Sequence, residues 1–236
     1  MFDFSGRYVV VTGAGKGIGA AVAKRFFAEG AAGVAVLDVI DDIAWAKELD
    51  PEGTRILTIA CDVSKRSDVD AAFAKIMEAF GRVDFLINNA GIIRDGMFHK
   101  MSPDNWDLVL NVNLTGAFNC TRNVINGMRE QGFGRIVNMS SNAAYGNIGQ
   151  ANYSSSKGAL VSFTKTLAKE STRKGVTVNA LLPMAIETDM TANMPKDPHG
   201  PKMAQPEDVA SIVAYICSDE AWFLNGAAID FNGAII

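Results

Sequence analysis

The run Tyr8-Val9-Val10-Val11-Thr12-Gly13-Ala14-Gly15-Lys16-Gly17-Ile18-Gly19 constrains the fold more than any other part of the chain. Tyr8–Thr12 is a short β-branched stretch, apolar until its end, which suits a strand buried on both faces. The glycines allow a tight turn, and the residues from Ile18 to Glu29 then predict a helix stopped by Gly30. A strand covered on both faces needs helices on both sides, and the rest of the chain supplies alternating elements. Strands are predicted at Val34–Leu37, Arg55–Ala60, Val83–Asn88, Arg135–Met139, Val176–Leu182 and Ala228–Phe231. Helices are predicted at Ser67–Phe80 before Gly81, at Tyr153–Lys174 before Gly175, and at Pro206–Cys217. Ser102-Pro103-Asp104 starts another, with an N-cap serine, a first-turn proline and an acid at the positive end. That helix runs toward Met128, with an interruption near Gly116.

Strand–helix alternation at this spacing implies right-handed crossovers and a parallel sheet. The expected fold is α/β: a single doubly wound parallel-sheet domain of Rossmann type, with helices on both faces, spanning residues 1–236. The proline-rich piece from Met194 to Pro206 reads as a surface loop, so residues 189–205 are expected to form a substrate-side loop within that domain. The 236 residues, 48% hydrophobic and 20% charged, suit a globular chain, and a net charge of -4 argues against nonspecific nucleic-acid or anionic-membrane binding as the main task. Cys61, Cys120 and Cys217 are far apart and form no C-x-x-C pair, which reads as free buried thiols in a reducing compartment. Met1–Arg7 shows no signal peptide, and no apolar run approaches the roughly 20 residues of a membrane span. A cytoplasmic protein is expected, with neither nucleic acid nor membrane as partner.

Between a strand and a helix, the glycine loop can bring backbone amides up to a pyrophosphate, with the positive helix end aimed at the same place. Lys16 is not followed by Ser or Thr, so this is not a Walker-type loop. Asp38 closes the second strand 19 residues after Gly19, where a carboxylate can accept hydrogen bonds from adenosine ribose hydroxyls. It would repel a phosphate on that ribose, at a cost of roughly several kcal/mol in a partly dry site. NAD is therefore favoured over NADP, although Lys16 could pair with a 2′-phosphate. Asn88-Asn89-Ala90-Gly91 follows the fourth strand, at the crevice end of a parallel sheet. Asp62 and Val63 follow the third, where Asp62 could meet an adenine or simply cap the next segment.

Tyr153 and Lys157 lie four residues apart on one predicted helix and so share a face. Alone, such a pair is more often a solvated surface. Beside a nicotinamide site it has a chemical reading: an ammonium favours the phenolate, which brings the tyrosine toward a pKa useful for acid and base work.

In order along the chain, Thr12-Gly13-x-x-x-Gly17-x-Gly19, Asn88-Asn89-Ala90-Gly91, Asn113, Ser140-Ser141 and Tyr153-x-x-x-Lys157 resemble the short-chain dehydrogenase/reductase family over essentially the whole chain. The resemblance implies that Tyr153 is the general acid/base. Lys157 would lower its pKa and bind the nicotinamide ribose, a serine would hold the substrate oxygen, and Asn113 would help anchor a proton-relay water. In many members the serine is the second of a Ser-Ser pair and stands 13 residues before the tyrosine. Counting back from Tyr153 gives Ser140, whereas the pair rule gives Ser141. A residue lost from the loop Asn142–Gly149 is easier to accommodate than a shift at a strand end, so Ser141 is preferred. Asn179–Thr188 resembles the family's stretch over the nicotinamide, with Ile186 and Thr188 able to reach the carboxamide. Met184 stands where a glycine is common after Pro183, which narrows the space there or alters the loop.

The stretches Ile92–Phe98, Asn113–Asn119 and Gly149–Tyr153 are most similar to 3-oxoacyl-thioester reductases, which act on acyl-carrier-protein or CoA esters and usually prefer NADPH. Asp38 sits poorly with that preference, so an NAD-linked dehydrogenase of a 3-hydroxyacyl-CoA, or of a cyclic or other secondary alcohol, stays open. A non-catalytic, cofactor-binding regulatory protein on the same fold is the remote alternative. The two histidines, His99 and His199, show no triad context, and no metal-ligand spacing is present. The resemblance also implies a homotetramer built partly on the helices near Asn105–Met128 and Tyr153–Lys174.

Overall fold

The computed structural model describes residues 2–40, 42–192 and 203–231. Seven parallel strands form one sheet in the order β3-β2-β1-β4-β5-β6-β7. They are β1 (Tyr8–Thr12), β2 (Gly33–Asp38), β3 (Ile56–Ala60), β4 (Phe85–Asn88), β5 (Gly134–Met139), β6 (Val176–Pro183) and β7 (Ala228–Phe231). The expected doubly wound α/β architecture is the one found.

Each central strand divides its side chains between two cores. Val9, Val11, Val34, Val36, Phe85 and Ile87 face one side, where they pack with α1 (Gly17–Ala28) and α7 (Pro206–Cys217). Val10, Ala35, Leu37, Leu86 and Ile136 face the other, against α3 (Arg66–Phe80), α5 (Gly116–Gln131) and α6 (Ala151–Ser171). The side-chain period of two thus becomes two apolar layers on one sheet, which explains why these strands read as continuous apolar runs.

One local feature departs from the sequence expectation, and the expected interruption near Gly116 takes a definite form. The short helix α2 (Ala44–Leu49) was not foreseen, because six residues offer too little periodicity. Buried Ile43 and Ala46 hold it in the first core. The helix from Ser102 is divided into α4 (Pro103–Leu110) and α5 by a π turn at Asn111–Thr115, just ahead of Gly116. Such a turn inserts one residue into the helical register and frequently marks a functional site; here it carries Asn113. Gly116 is needed beside it, since a Cβ would lie 2.7 Å from Cγ2 of Val63. The substrate-side loop expected at 189–205 falls largely outside the described residues.

A polar ladder crosses the second core. Asn88 Nδ2 donates to Thr121 Oγ1 at 3.0 Å and to Asn138 Oδ1 at 2.8 Å, and Asn138 Nδ2 donates to Thr164 Oγ1 at 2.8 Å. It ties α5, β4, β5 and α6 together beneath the strand ends. Buried amides tolerate such a place only when paired. Asn138→Ala is expected to lower stability by about 2 kcal/mol by orphaning its partners. The check is urea unfolding: the midpoint should fall with little change in slope.

Candidate active site

A cleft of about 1030 Å³ opens at the carboxyl ends of β1, β2, β4, β5 and β6. One end is lined by Gly13, Lys16 and Asp38, the other by Ser141, Tyr153 and Lys157. Chain order reverses between β1 and β4, so the flanking connections diverge there and leave a crevice.

The glycine loop is built from close approaches. A Cβ on Gly13 would lie 2.7 Å from Ala90 Cα, and one on Gly19 2.3 Å from the Gly13 carbonyl oxygen. Asn89 stitches the loop to β4: its Nδ2 donates to the carbonyls of Thr12 and Gly13, each at 2.9 Å. Thr12 Oγ1 accepts in turn from the Asn89 and Ala90 amides. At the start of α1, Lys16 gives no side-chain cap and the first turn holds no acid. Its first-turn amides and positive dipole end therefore stay available to an anion in the cleft. This donor set fits a dinucleotide pyrophosphate.

Asp38 is held from two sides. Its Oδ2 accepts from the Gly15 amide at 2.8 Å and its Oδ1 from the Val39 amide at 2.8 Å. Each carboxylate oxygen keeps further acceptor capacity. Lys16 instead pairs with Asp189 across the mouth, Nζ to Oδ2 at 2.7 Å, both exposed. Asp62 caps its own turn, accepting from the Ser64 amide and hydroxyl, with Lys65 Nζ 3.4 Å away. Val63 is buried in the cleft wall, where its carbonyl accepts from Asn119.

At the other end, Ser141 and Tyr153 line the same part of the cleft, near enough for the serine hydroxyl to favour the phenolate, and Ser141 Oγ accepts from the Ala143 amide at 3.1 Å. Ser140 points elsewhere, its Oγ donating to the Lys157 carbonyl at 2.8 Å. The strand register holds to its end, with Met139 opposite Leu181 and the Ser140 amide bonded to the Leu181 carbonyl. Lys157 is buried, and its Nζ donates to the Met139 carbonyl at 2.6 Å and lies 5.6 Å from the Tyr153 ring centre. Burial pushes the Lys157 ammonium down to about 8. Burial also raises the Tyr153 phenol; the Ser141 hydroxyl lowers it, and the Asp95 carboxylate raises it further. In the protein alone, desolvation thus opposes the charged form of both groups.

Residues 7–199 match the short chain dehydrogenase family. The chain belongs to that family. It is 44% identical to an acetoacetyl-CoA reductase of Shinella zoogloeoides, covering 96% of this chain and 97% of that one. The 3-oxoacyl-(acyl-carrier-protein) reductase FabG of Thermotoga maritima is 36% identical, covering 98% of each chain. The BbsD subunit of (2S)-[(R)-hydroxy(phenyl)methyl]succinyl-CoA dehydrogenase of Thauera aromatica is 37% identical, covering 94% of each. The chain is accordingly an NAD(P)-dependent oxidoreductase acting between carbonyl and CH–OH groups.

Within this short chain dehydrogenase the remaining expected residues take definite places. Asn113 is saturated by backbone and serine partners: its Oδ1 accepts from the Ile92 amide at 2.8 Å, and its Nδ2 donates to the Ile92 carbonyl and to Ser156 Oγ. Its side chain clamps the strand-end loop to α6. Ile186 is buried, and Thr188 faces the glycine loop, 3.6 Å from where a Gly17 Cβ would stand. Met184 needs no glycine-like backbone, since among the described residues only glycines have positive φ. Its amide donates to the Phe231 carbonyl, and its half-exposed side chain lines the cleft.

Sequence reasoning missed the stitching by Thr12 and the influence of Asp95 on Tyr153, neither of which has a spacing signal. Because Asp95 raises the Tyr153 phenol, Asp95→Asn should lower it. In alcohol oxidation, where the phenolate is the base, the rising limb of the pH–rate profile should move toward lower pH. Asp95 is exposed, so the move should shrink as salt is added. A profile unmoved at low salt would contradict this coupling.

Proposed function

We propose that this enzyme interconverts a 3-oxoacyl thioester and its 3-hydroxyacyl counterpart with NAD(H), with the thioester carried on CoA. The observation that carries the reading is the grouping of Ser141, Tyr153 and buried Lys157 in the same cleft as the glycine loop and Asp38. Gly13, Gly17, Ile18 and Gly19, with the α1 amides, are the residues that would hold the pyrophosphate. Asp38 would take the adenosine ribose, with Lys16 at the cleft mouth. Asp62 and Val63 would border the adenine, and Asn89 would hold the loop in shape. Lys157 would meet the nicotinamide ribose, and Ile186 and Thr188 the carboxamide. The bound nicotinamide supplies or accepts the hydride at the substrate carbon.

In reduction, the Tyr153 hydroxyl gives its proton to the oxygen of the former carbonyl; in oxidation, the phenolate takes it back. Ser141 holds that oxygen through its hydroxyl, and the Lys157 ammonium, close to the ring, favours the phenolate whenever it is charged. Asn113 sets the distance between α6 and the loop after β4, and so supports the proton path at the base of the site. Exposed Ile148, Met184 and Met190 give the mouth an apolar rim. That rim suits an acyl chain followed by a long thioester arm. The thioester class is supported by the names of the relatives, and NAD by the Asp38 carboxylate.

One domain over residues 1–236 serves both cofactor and substrate in this reading, with 189–205 as the substrate-side loop. A cytoplasmic homotetramer completes it. Exposed Leu108 on α4 and Phe118 on α5 support contact between subunits, and three buried free cysteines suit a reducing compartment. Among the described residues, no helix is long and apolar enough to cross a membrane.

A panel of acetoacetyl-CoA, longer 3-oxoacyl-CoAs and cyclic alcohols, each with NAD(H) and NADP(H), tests the assignment. Turnover should be fastest on a CoA thioester with NADH; inactivity on every thioester would overturn the substrate class, and a preference for NADPH would overturn the cofactor. Tyr153→Phe should abolish turnover while NADH binding persists. Ser141→Ala should cost about 10²-fold or more in kcat, by loss of a hydrogen bond to the reacting oxygen. Ser140→Ala should cost far less, and equal small losses at both positions would remove the serine from the mechanism.

A further inference from the structure

The glycine loop has one partner that no motif announces. Trp45, on α2, donates its indole N–H to the Gly15 carbonyl at 3.1 Å. On the other side of the same residue, the Gly15 amide donates to Asp38 Oδ2 at 2.8 Å. A Cβ on Gly15 would lie 2.9 Å from Asp38 Oδ2 and 3.1 Å from Ile40 Cδ1, so the position must be glycine for the carboxylate to come this close. That requirement has a cost. Glycine is the residue with the widest backbone freedom, and it is placed where the orientation of the carboxylate depends on its amide. Hydrogen bonds to both its N–H and its C=O remove that freedom.

The tryptophan is itself well anchored. Its neighbours Ile43 and Ala46 are buried in the first core, and its own half-buried ring packs against that core. Lys24, from α1, stands over the ring at 5.3 Å. The indole thus links an element fixed in the core to the one loop residue that holds Asp38.

We propose that Trp45 is a positioning residue for cofactor recognition: its N–H fixes the Gly15–Lys16 peptide and so limits the rotation about the Gly15 Cα, which keeps the Ala14–Gly15 N–H on Asp38 and presents the carboxylate, ready-made, to the adenosine ribose of NAD(H). The inference rests on the reading of Asp38 as the ribose acceptor. Without the indole N–H, the Gly15 carbonyl has no other hydrogen-bond donor among the described residues. The Gly15 φ and ψ are then freer, the Gly15 amide drifts from Asp38, and part of the binding free energy is spent on restoring the arrangement.

The test is a double-mutant cycle on dinucleotide binding, with Kd for NADH and NADPH measured by calorimetry for the wild type, Trp45→Phe, Asp38→Ala and the double variant. Phenylalanine keeps a ring against the core but has no N–H. Trp45→Leu runs beside it in case the ring itself proves necessary for folding, and urea midpoints are recorded for every protein. Trp45→Phe should weaken NADH binding by about five-fold, the scale of one neutral hydrogen bond. In the Asp38→Ala background the same change should weaken it by less than about two-fold, because the two residues hold the peptide groups on either side of one glycine Cα. Equal weakening in both backgrounds, or a lowered urea midpoint with unchanged Kd, would overturn the proposal and leave Trp45 a structural residue. If Asp38→Ala alone changes neither the NADH Kd nor the NADH-to-NADPH ratio, the assignment of Asp38 fails, whatever Trp45→Phe does.

Discussion

Every functional group of this enzyme depends on the junction where β1 and β4 run side by side and their connections part. Both faces of the sheet are covered, so no strand side chain can reach a ligand except from the carboxyl edge. At that edge the chain must turn tightly, come close to a second turn, and still leave backbone amides free. Asn89 and Thr12 meet the first two demands with side-chain hydrogen bonds to backbone, and the glycines at 13 and 19 meet the third by having no Cβ to obstruct. An alanine at position 19 would have to displace the Gly13 carbonyl, and with it the link to Asn89. The recognition loop and the sheet are therefore one mechanical unit.

The catalytic end follows a different electrostatic logic from the recognition end. At the loop, uncharged amides and a helix dipole face the cleft, and they cost little to hold there. Around Tyr153 a half-buried tyrosine stands beside a buried lysine, and desolvation opposes the charged form of each. A lysine pushed down to about 8 is still mostly protonated at neutral pH, and its ammonium is stabilised by the Met139 carbonyl rather than by a carboxylate. The absence of an acid beside it among its hydrogen-bond partners is useful. A counter-charge there would cancel the field that Lys157 exerts on the phenol. The nearest influence of that kind is Asp95, at the exposed side, where solvent weakens it.

Much of this could be read from the sequence, because the information was local. Buried parallel strands show as apolar runs, helix ends show as glycine and serine–proline signals, and Tyr153 and Lys157 share a face by spacing alone. Ser102 accepts from the Asn105 amide as an N-cap should, and Gly81, Gly132 and Gly175 end their helices with positive φ. What stayed hidden is non-local. Six residues at Ala44–Leu49 become helical because Ile43 and Ala46 find the core, a fact their own pattern does not contain. The placing of Ser141 rather than Ser140 beside Tyr153 depends on the β5–β6 register, which the sequence could only suggest through a loop-length argument. The desolvation that raises the Tyr153 phenol in the protein alone was also hidden, because depth of burial is a property of the packed molecule.

The tension between Asp38 and the thioester-reductase relatives is the point at which fold-level similarity stops being informative. The matches span 94–98% of this chain and so speak first for the sheet and its two cores, which any member of the family needs. In the proposed reading, cofactor choice turns on the Asp38 carboxylate at the end of β2. There the carboxylate is bonded to the loop that it would share with the ribose, so exchanging Asp38 for a neutral residue would release Gly15 as well as remove a charge. An evolutionary or engineered change from one dinucleotide to the other would then have to alter position 38 and the support of Gly15 together. A single substitution would remove repulsion toward the 2′-phosphate while loosening the loop that both dinucleotides need, so its gain for NADP would be partly offset by a poorer fit of the pyrophosphate.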